Sequence, residues 1–361
     1  MPEKTGITIA LDIMGTDNGP GNIIAGGVVA ARQFGPNVKI VLVGQQDAIS
    51  GELKKLRDVP ANIDIHHAEG VVTMEDSPAD AVRRQGTSIA EAFRLQKEGQ
   101  VNAVVSPGNT GAIMGTAVLR LGRLREVRRP AIASFFPSIH SSQTLVLDVG
   151  ANSTCKPIHL YQFAIMGTIV AKSMMQKKNP RVGLLSIGKE KSKGNELIVS
   201  THPLLKNNKA LNFIGNIEGR DILMGNADVV VTDGFVGNIV LKFAESVEGF
   251  LTTSLRRQVS TNIFSRCGAI LMYPFLRRLR NTFDYAEYGG APLLGVNGVC
   301  LICHGESSGK AILSALMVAR DMVSFQVNKK IEAVLMPGQN GDEEAVDYNI
   351  NGVSLSEKWQ N

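Results

Sequence analysis

Val101-Asn-Ala-Val-Val-Ser106-Pro-Gly108-Asn109-Thr110-Gly111-Ala112 joins a run of mostly β-branched apolar residues to a glycine turn, and the turn to a helix start rich in small residues. An apolar run without alternation marks a strand buried on both faces, the condition of a parallel sheet covered by helices. Five other runs, at 7–12, 144–148, 182–188, 227–233 and 298–304, likewise end in a polar residue with glycine or asparagine close behind. The patterning also predicts strands over 38–44 and 62–66, and helices over 22–32, 48–57, 89–98 and 195–205. The expected class is α/β, with a mainly parallel sheet whose strand-end loops converge on one rim.

The chain has 361 residues, 44% hydrophobic and 20% charged, enough for a substantial core. No Pro/Gly/Ser linker divides it, so a single domain over 1–330, with two lobes, is expected. A polar tail over 331–361 is expected to be loosely held. Glycine is abundant (37) and aromatics are scarce (5%), a composition for backbone-lined anion pockets rather than base-stacking platforms, so nucleic acid is not an expected partner. Four cysteines make no disulfide framework. The start Met1-Pro-Glu-Lys-Thr-Gly6 lacks a secretory pattern, and no uncharged apolar stretch reaches the ~18–20 residues of a spanning helix. The expectation is a cytoplasmic protein.

Two motifs mislead. Cys300-Leu-Ile-Cys303-His304 spells a haem attachment site, yet residues three apart on a strand point to opposite faces. Gly305-Glu-Ser-Ser-Gly309-Lys310-Ala311 has one residue too few between its glycines for a P-loop, and alanine where the magnesium-binding hydroxyl belongs. No cofactor and no metal are expected.

The glycine loops carry the chemistry. Free N–H groups at a helix start attract anions, so Ser106, Asn109, Thr110 and Gly111 are read as a phosphate cradle. Asp148-Val-Gly150-Ala-Asn152 and Asp233-Gly234-Phe-Val-Gly237-Asn238 repeat the arrangement, and Lys189-Glu-Lys191-Ser-Lys193-Gly194-Asn195 supplies cations. Asp12, Asp148 and Asp233 are read as loop organisers, because a charged carboxylate repels phosphate.

Between Glu248 and Asp284 the rhythm changes. The chain there has no acid and no lysine but six arginines, among them Arg256 and Arg257, and Leu251, Leu255, Val259, Ile263 and Phe264 form an apolar helical stripe. A basic amphipathic helix over 249–283 suits an anionic membrane surface, with dimer packing as the alternative.

Taken together, Asp12-x-Met-Gly15-x-Asp17, Ser106-x-Gly-Asn-Thr-Gly-Ala112, Asp148-Val-Gly-Ala-Asn-x-x-Cys-Lys-Pro157, Lys193-Gly-Asn-Glu-Leu197, Asn212-Phe-Ile-Gly-Asn-Ile-Glu-Gly-Arg-Asp221, Asp233-Gly-Phe-x-Gly-Asn238 and Tyr288-Gly-Gly-Ala-Pro-Leu-Leu-Gly295 resemble the bacterial phosphate acyltransferase family. Thr16 and Glu306 depart from its pattern. The resemblance implies a three-layer α/β/α fold like that of phosphotransacetylases and isopropylmalate dehydrogenases. It also implies a homodimer and peripheral attachment to the inner face of the cell membrane through 249–283. The implied reaction takes acyl-[acyl carrier protein] and inorganic phosphate to acyl phosphate for phospholipid synthesis. Lys193 and Asn238 would be the catalytic pair and His304 a general acid for the departing thiolate. Gly15, Asp17, Asn152 and Asn195 would join the residues above at the substrate pocket. A dehydrogenase of the related fold and a non-catalytic membrane scaffold are the alternatives.

Overall fold

In β1 (Ile7–Asp12) the side chains of Ile9 and Leu11 enter one apolar cluster and Ala10 the other, so this strand is buried on both faces, as its unalternating pattern requires. The same division separates Cys303 from Cys300, which lie in different clusters. These relations come from a computed structural model that describes residues 6–17, 19–141, 143–259, 268–275 and 290–336.

The other strands are β2 (Val38–Gly44), β3 (Ile63–His67), β4 (Ala103–Ser106), β5 (Ala131–Pro137), β6 (Gln143–Leu147), β7 (Arg181–Leu185), β8 (Asn212–Ile217), β9 (Val229–Val231), β10 (Ala291–Leu294) and β11 (Val299–Ile302). Among the described residues they make one sheet of eleven strands, in the order β3-β2-β1-β4-β11-β10-β5-β6-β9-β7-β8. Helices cover it on both sides. Helix ends follow local chemistry: Thr87 caps Ser88–Lys97 and Asn195 caps Glu196–Asn207, each accepting a hydrogen bond from a backbone N–H of the first turn.

The sheet is mainly parallel, but its strand-end loops do not share one rim. β3, β2, β1, β4 and β11 run one way, and β6, β9, β7 and β8 run the other. The reversal comes from β10, antiparallel to both β11 and β5, and from β5, antiparallel to β6. Strand β10 is also the joint that staggers the two lobes. Its Ala291 pairs with Ile302 at the end of β11, its Leu293 pairs with Ile132 in β5, and Ala133 pairs with Leu147 at the end of β6. The carboxyl ends of β11 and β6 therefore meet at nearly the same level, about three strand spacings or ~14 Å apart. Loops leaving opposite-running lobes face each other across the middle of the sheet.

Two expectations about the edges of the domain change. The helix Val327–Leu335 buries Val327, Ile331 and Leu335, so the polar tail does not begin at 331; residues 337–361 lie outside the described residues. The amphipathic excursion does not begin at 249 either. Helix Gly234–Val259 is continuous for 26 residues, about 39 Å at 1.5 Å per residue, and leads from the end of β9 into the arginine-rich stretch. Ile263 and Phe264, and the side chains of Leu251, Leu255 and Arg256, lie outside the described residues. Arg257 is exposed and Val259 is half-buried. No described helix is long and apolar enough to cross a membrane.

Candidate active site

The loops that close on each other enclose a cavity of about 260 Å³ lined by residues of both lobes. Thr110, His304, Ser307 and Ala311 come from the loops and helix starts after β4 and β11. Val149 and Gly150 follow β6, while Asn238, Leu241, Lys242 and Glu245 come from the long helix after β9. Ile132, Ala291, Ile302 and Cys303 form the apolar floor.

Behind this lining stands a buried polar frame. Asp148 accepts five hydrogen bonds, from the N–H groups of Ile132, Gly150, Ala151 and Asn152 and from the Asn152 amide. Burial pushes its carboxyl above the ordinary value while those donors oppose the rise. Asn152 also donates to the Pro130 carbonyl at 2.7 Å. Asp233 accepts from the N–H groups of Phe235 and Val236 at the start of the long helix. These two aspartates organise loops, as read from the sequence. Asn152, expected to touch substrate, instead ties the loop after β6 to the strand beside it.

The first lobe is built in the same way. Ser106 donates to Asp12 at 2.6 Å and accepts from Gly108 N–H at 3.2 Å, and both side chains are fully buried. The Asn109 side chain is fully engaged: it caps the helix Thr110–Leu121 by accepting from Ala112, and its amide donates to the carbonyls of Met74 and Asp76. Gly111 packs on Pro78. Gly15 takes a positive φ of 73° beside the Val72 carbonyl, and Asp17 sits against Gly305, accounting for the polar turn after β1. None of these residues lines the cavity except Thr110.

Lys193 and Asn195 belong to the loop after β7, which β9 separates from β6. The Lys193 backbone is pinned by Glu190, by the Ser186 hydroxyl at 3.1 Å and by the buried Asn216 amide; its side chain is exposed and absent from the cavity lining. Asn195 is a helix cap. Sequence spacing brought these residues to a strand end but could not tell which strand ends are neighbours.

Asn238 and His304 do line the cavity together. The Asn238 side chain is exposed to the cavity and makes no hydrogen bond to any described residue. Its amide oxygen would lie 3.6 Å from a Cβ built on Gly150, which sets the two loops side by side. His304 accepts the Glu306 N–H at Nδ1 (3.2 Å), so in the neutral ring Nε2 carries the proton. Glu306 itself is exposed and outside the lining.

Two thiols lie here, and burial pushes Cys155 and Cys303 each up to about 12. A thiol held so high is not a thiolate near neutral pH, so neither is a nucleophile. Among the described residues no cluster of three or more His, Cys, Asp or Glu is placed to hold a metal.

Burial also raises the Asp12 carboxyl from its ordinary 3.8 to about 6, against the pull of the Ser106 hydroxyl. Between those values the folded chain keeps a proton that the unfolded chain has released, so stability falls as pH rises from about 4 to about 6 and then levels off. Linkage puts the loss at roughly 3 kcal/mol. Urea unfolding of the wild type and Asp12→Asn across that range checks this; the variant is expected to lose that part of the pH dependence.

Sequence reasoning missed Lys242 and Glu245, which a helical repeat counted from Asn238 would have found, since i, i+4 and i+7 share a face. It quoted Ala291 within the Tyr288-to-Gly295 motif without giving it a role, and it had no signal for Ile132, which lies on β5, a strand it did not predict.

The profile of a family described as "Fatty acid synthesis protein" matches residues 7–330. A phosphate acyltransferase of Heliobacterium modesticaldum is 49% identical over 317 residues, covering 87% of this chain and 93% of that protein. One from Dictyoglomus turgidum is 44% identical over 324 residues, covering 90% and 96%. Among solved structures, the EutD phosphotransacetylase from Staphylococcus aureus superposes with a TM-score of 0.57 at 16% identity, covering 90% of this chain and 94% of that one, a likeness of fold. With the motif loops of both lobes bordering one cavity and identity sustained over nearly the whole domain, the chain belongs to the phosphate acyltransferase family of fatty acid synthesis proteins.

Proposed function

We propose that the protein transfers a fatty acyl group from acyl-[acyl carrier protein] to inorganic phosphate by direct attack of phosphate on the thioester, and releases acyl phosphate. The observation that carries this reading is the shared cavity, which sets anion-attracting helix starts and an unengaged amide beside an apolar floor. A thioester already has a good leaving group, so the protein needs to align phosphate with the carbonyl and stabilise the oxyanion. Thr110 and the helix start behind it receive phosphate. The Asn238 amide donates to the oxyanion as the P–O–C bond forms. The C–S bond then breaks with the Nε2–H of His304 donating a hydrogen bond to the departing thiolate, and the proton carried in by hydrogenphosphate ends on that sulfur to give the free thiol. Lys193, whose ammonium has no partner among the described residues, adds positive charge from the neighbouring loop.

The test is to mix purified protein with acyl-[acyl carrier protein] and measure free thiol with and without phosphate. Phosphate-dependent release supports the reading. A dehydrogenase or a non-catalytic scaffold releases none.

The same proposal includes peripheral attachment to an anionic membrane, cytoplasmic location and a homodimer. Exposed Phe243 and Phe250 on the long helix, and Ile270, Leu271, Tyr273 and Phe275 beyond it, support an apolar contact next to the arginines. Changing Leu271 and Phe275 together to glutamate is expected to abolish co-sedimentation with anionic vesicles while leaving turnover of soluble substrate unchanged. Unaltered sedimentation would reject membrane contact at this surface.

A further inference from the structure

Four cavity residues of the long helix, Asn238, Leu241, Lys242 and Glu245, follow the i, i+3, i+4, i+7 spacing of one helix face. This face turns an unengaged amide and, one turn further on, an ammonium toward the same space. Among the described residues that line the cavity, Lys242 alone carries a permanent positive charge. Its Nζ lies 2.9 Å from the Glu245 carboxylate, and the two side chains are 55% and 28% exposed.

We propose that Lys242 is a phosphate-binding residue of this cavity and that Glu245 is the counter-ion phosphate displaces. The inference deepens the acyl-transfer reading and rests on it for the identity of the anion. A pair three residues apart on a solvated helix is weak, so a dianion can compete for the ammonium. While the cavity is empty, Glu245 keeps the lysine stem directed along the lining. When phosphate enters, the ammonium exchanges one carboxylate for an oxyanion with a larger charge. When the acyl phosphate, a mixed anhydride, must leave, the carboxylate is at hand to reclaim the lysine. A site with the lysine alone would retain its product longer.

Two sources of phosphate oxygens could meet this ammonium: inorganic phosphate, and the phosphodiester in the prosthetic arm of a carrier-bound thioester. The position of Lys242 beside Asn238, at the reacting end of the proposed cavity, assigns it to the inorganic ion. The measurements are KM for phosphate and, separately, for the acyl donor, with phosphate binding followed directly by phosphorus NMR line broadening. Lys242→Gln is expected to weaken phosphate at least tenfold in both assays while the donor KM stays within twofold. Lys242→Arg is expected to recover most of that loss, which a merely structural lysine would not require. Glu245→Gln is expected to tighten phosphate severalfold, because the competitor is gone. Thermal melts of the three variants should match the wild type, since Lys242 is exposed, Glu245 is half-buried, and the pair they form is a weak one.

Unchanged phosphate binding in Lys242→Gln overturns the proposal, as does a rise confined to the donor KM. If the wild type releases no thiol yet Lys242→Gln weakens phosphate binding by NMR, the anion site stands and the acyl-transfer reading fails.

Discussion

Gly237→Ala should give a protein at least about 3 kcal/mol less stable than the wild type and without measurable turnover. A methyl group at Gly237 would overlap the carbonyl oxygen of Asp148 and approach the Thr232 side chain. Neither neighbour can retreat. The Asp148 carboxylate is held by five donors, and its own N–H donates to the Thr232 carbonyl at 3.0 Å. Relieving the overlap must therefore shift the long helix or pull the loop after β6 away from its donors, and either motion separates Gly150 from Asn238. Urea unfolding measures the stability change. Gly249→Ala on the same helix is the control, because a methyl there meets nothing within 4 Å. Helix propensity alone should then leave it equal to the wild type or up to about 1 kcal/mol more stable. Equal stability of the 237 and 249 variants would show that the helix does not pack against the Asp148 loop in this way.

Asn238→Ala is expected to lower kcat by roughly 10²–10³-fold, the usual effect of deleting one donor to a developing oxyanion. The residue has no structural duty that would confuse the result: its amide bonds to no described residue, and its side chain is exposed in the cavity. The melt should stay within a degree or two of the wild type. Asn238→Asp should be no better than alanine, since a carboxylate repels both phosphate and oxyanion. A kcat within threefold of the wild type in Asn238→Ala would remove this residue from the chemistry and leave His304 and the helix starts to carry it.

The long helix links these results to the membrane question. It begins at the Asp233 cap, passes Asn238 and Lys242 in the cavity, and continues past Phe250 toward the basic stretch. Sequence reading placed a boundary at Gly249 because the charge pattern changes there. A composition change need not end a helix, and an exposed glycine with open space around it does not break one at so small a propensity cost.

Most local structure was legible in the residues. β1, β4 and β11 show unalternating apolar runs because both faces are buried, and Asn195, Thr87 and Asp233 sit where capping chemistry requires them. Asp148 and Asp233 each gather backbone N–H groups of the loop or helix start that follows, the local pattern their strand-end positions suggested. The amides of Asn109 and Asn152 face the chain's own carbonyls, which sequence could not show, because an asparagine in a glycine loop looks the same whichever way its amide turns. Their partners, Met74, Asp76 and Pro130, are distant in sequence.

Strand direction lay beyond any local pattern. Strand β10 lacks the polar end that marked the equally short β4 and β11, yet its two antiparallel pairings, together with that of β5 on β6, reverse half the sheet and set the stagger between the lobes. Apolar periodicity is a property of neighbouring residues, so the chain order specified eight of the eleven described strands, with caps, glycine turns and family, but not β5, β8 or β10. Which strand ends meet depends on pairings between segments as far apart as Ile132 and Leu293. Those pairings brought Asn238, Lys242 and His304 to one cavity and left Lys193 on the loop beyond.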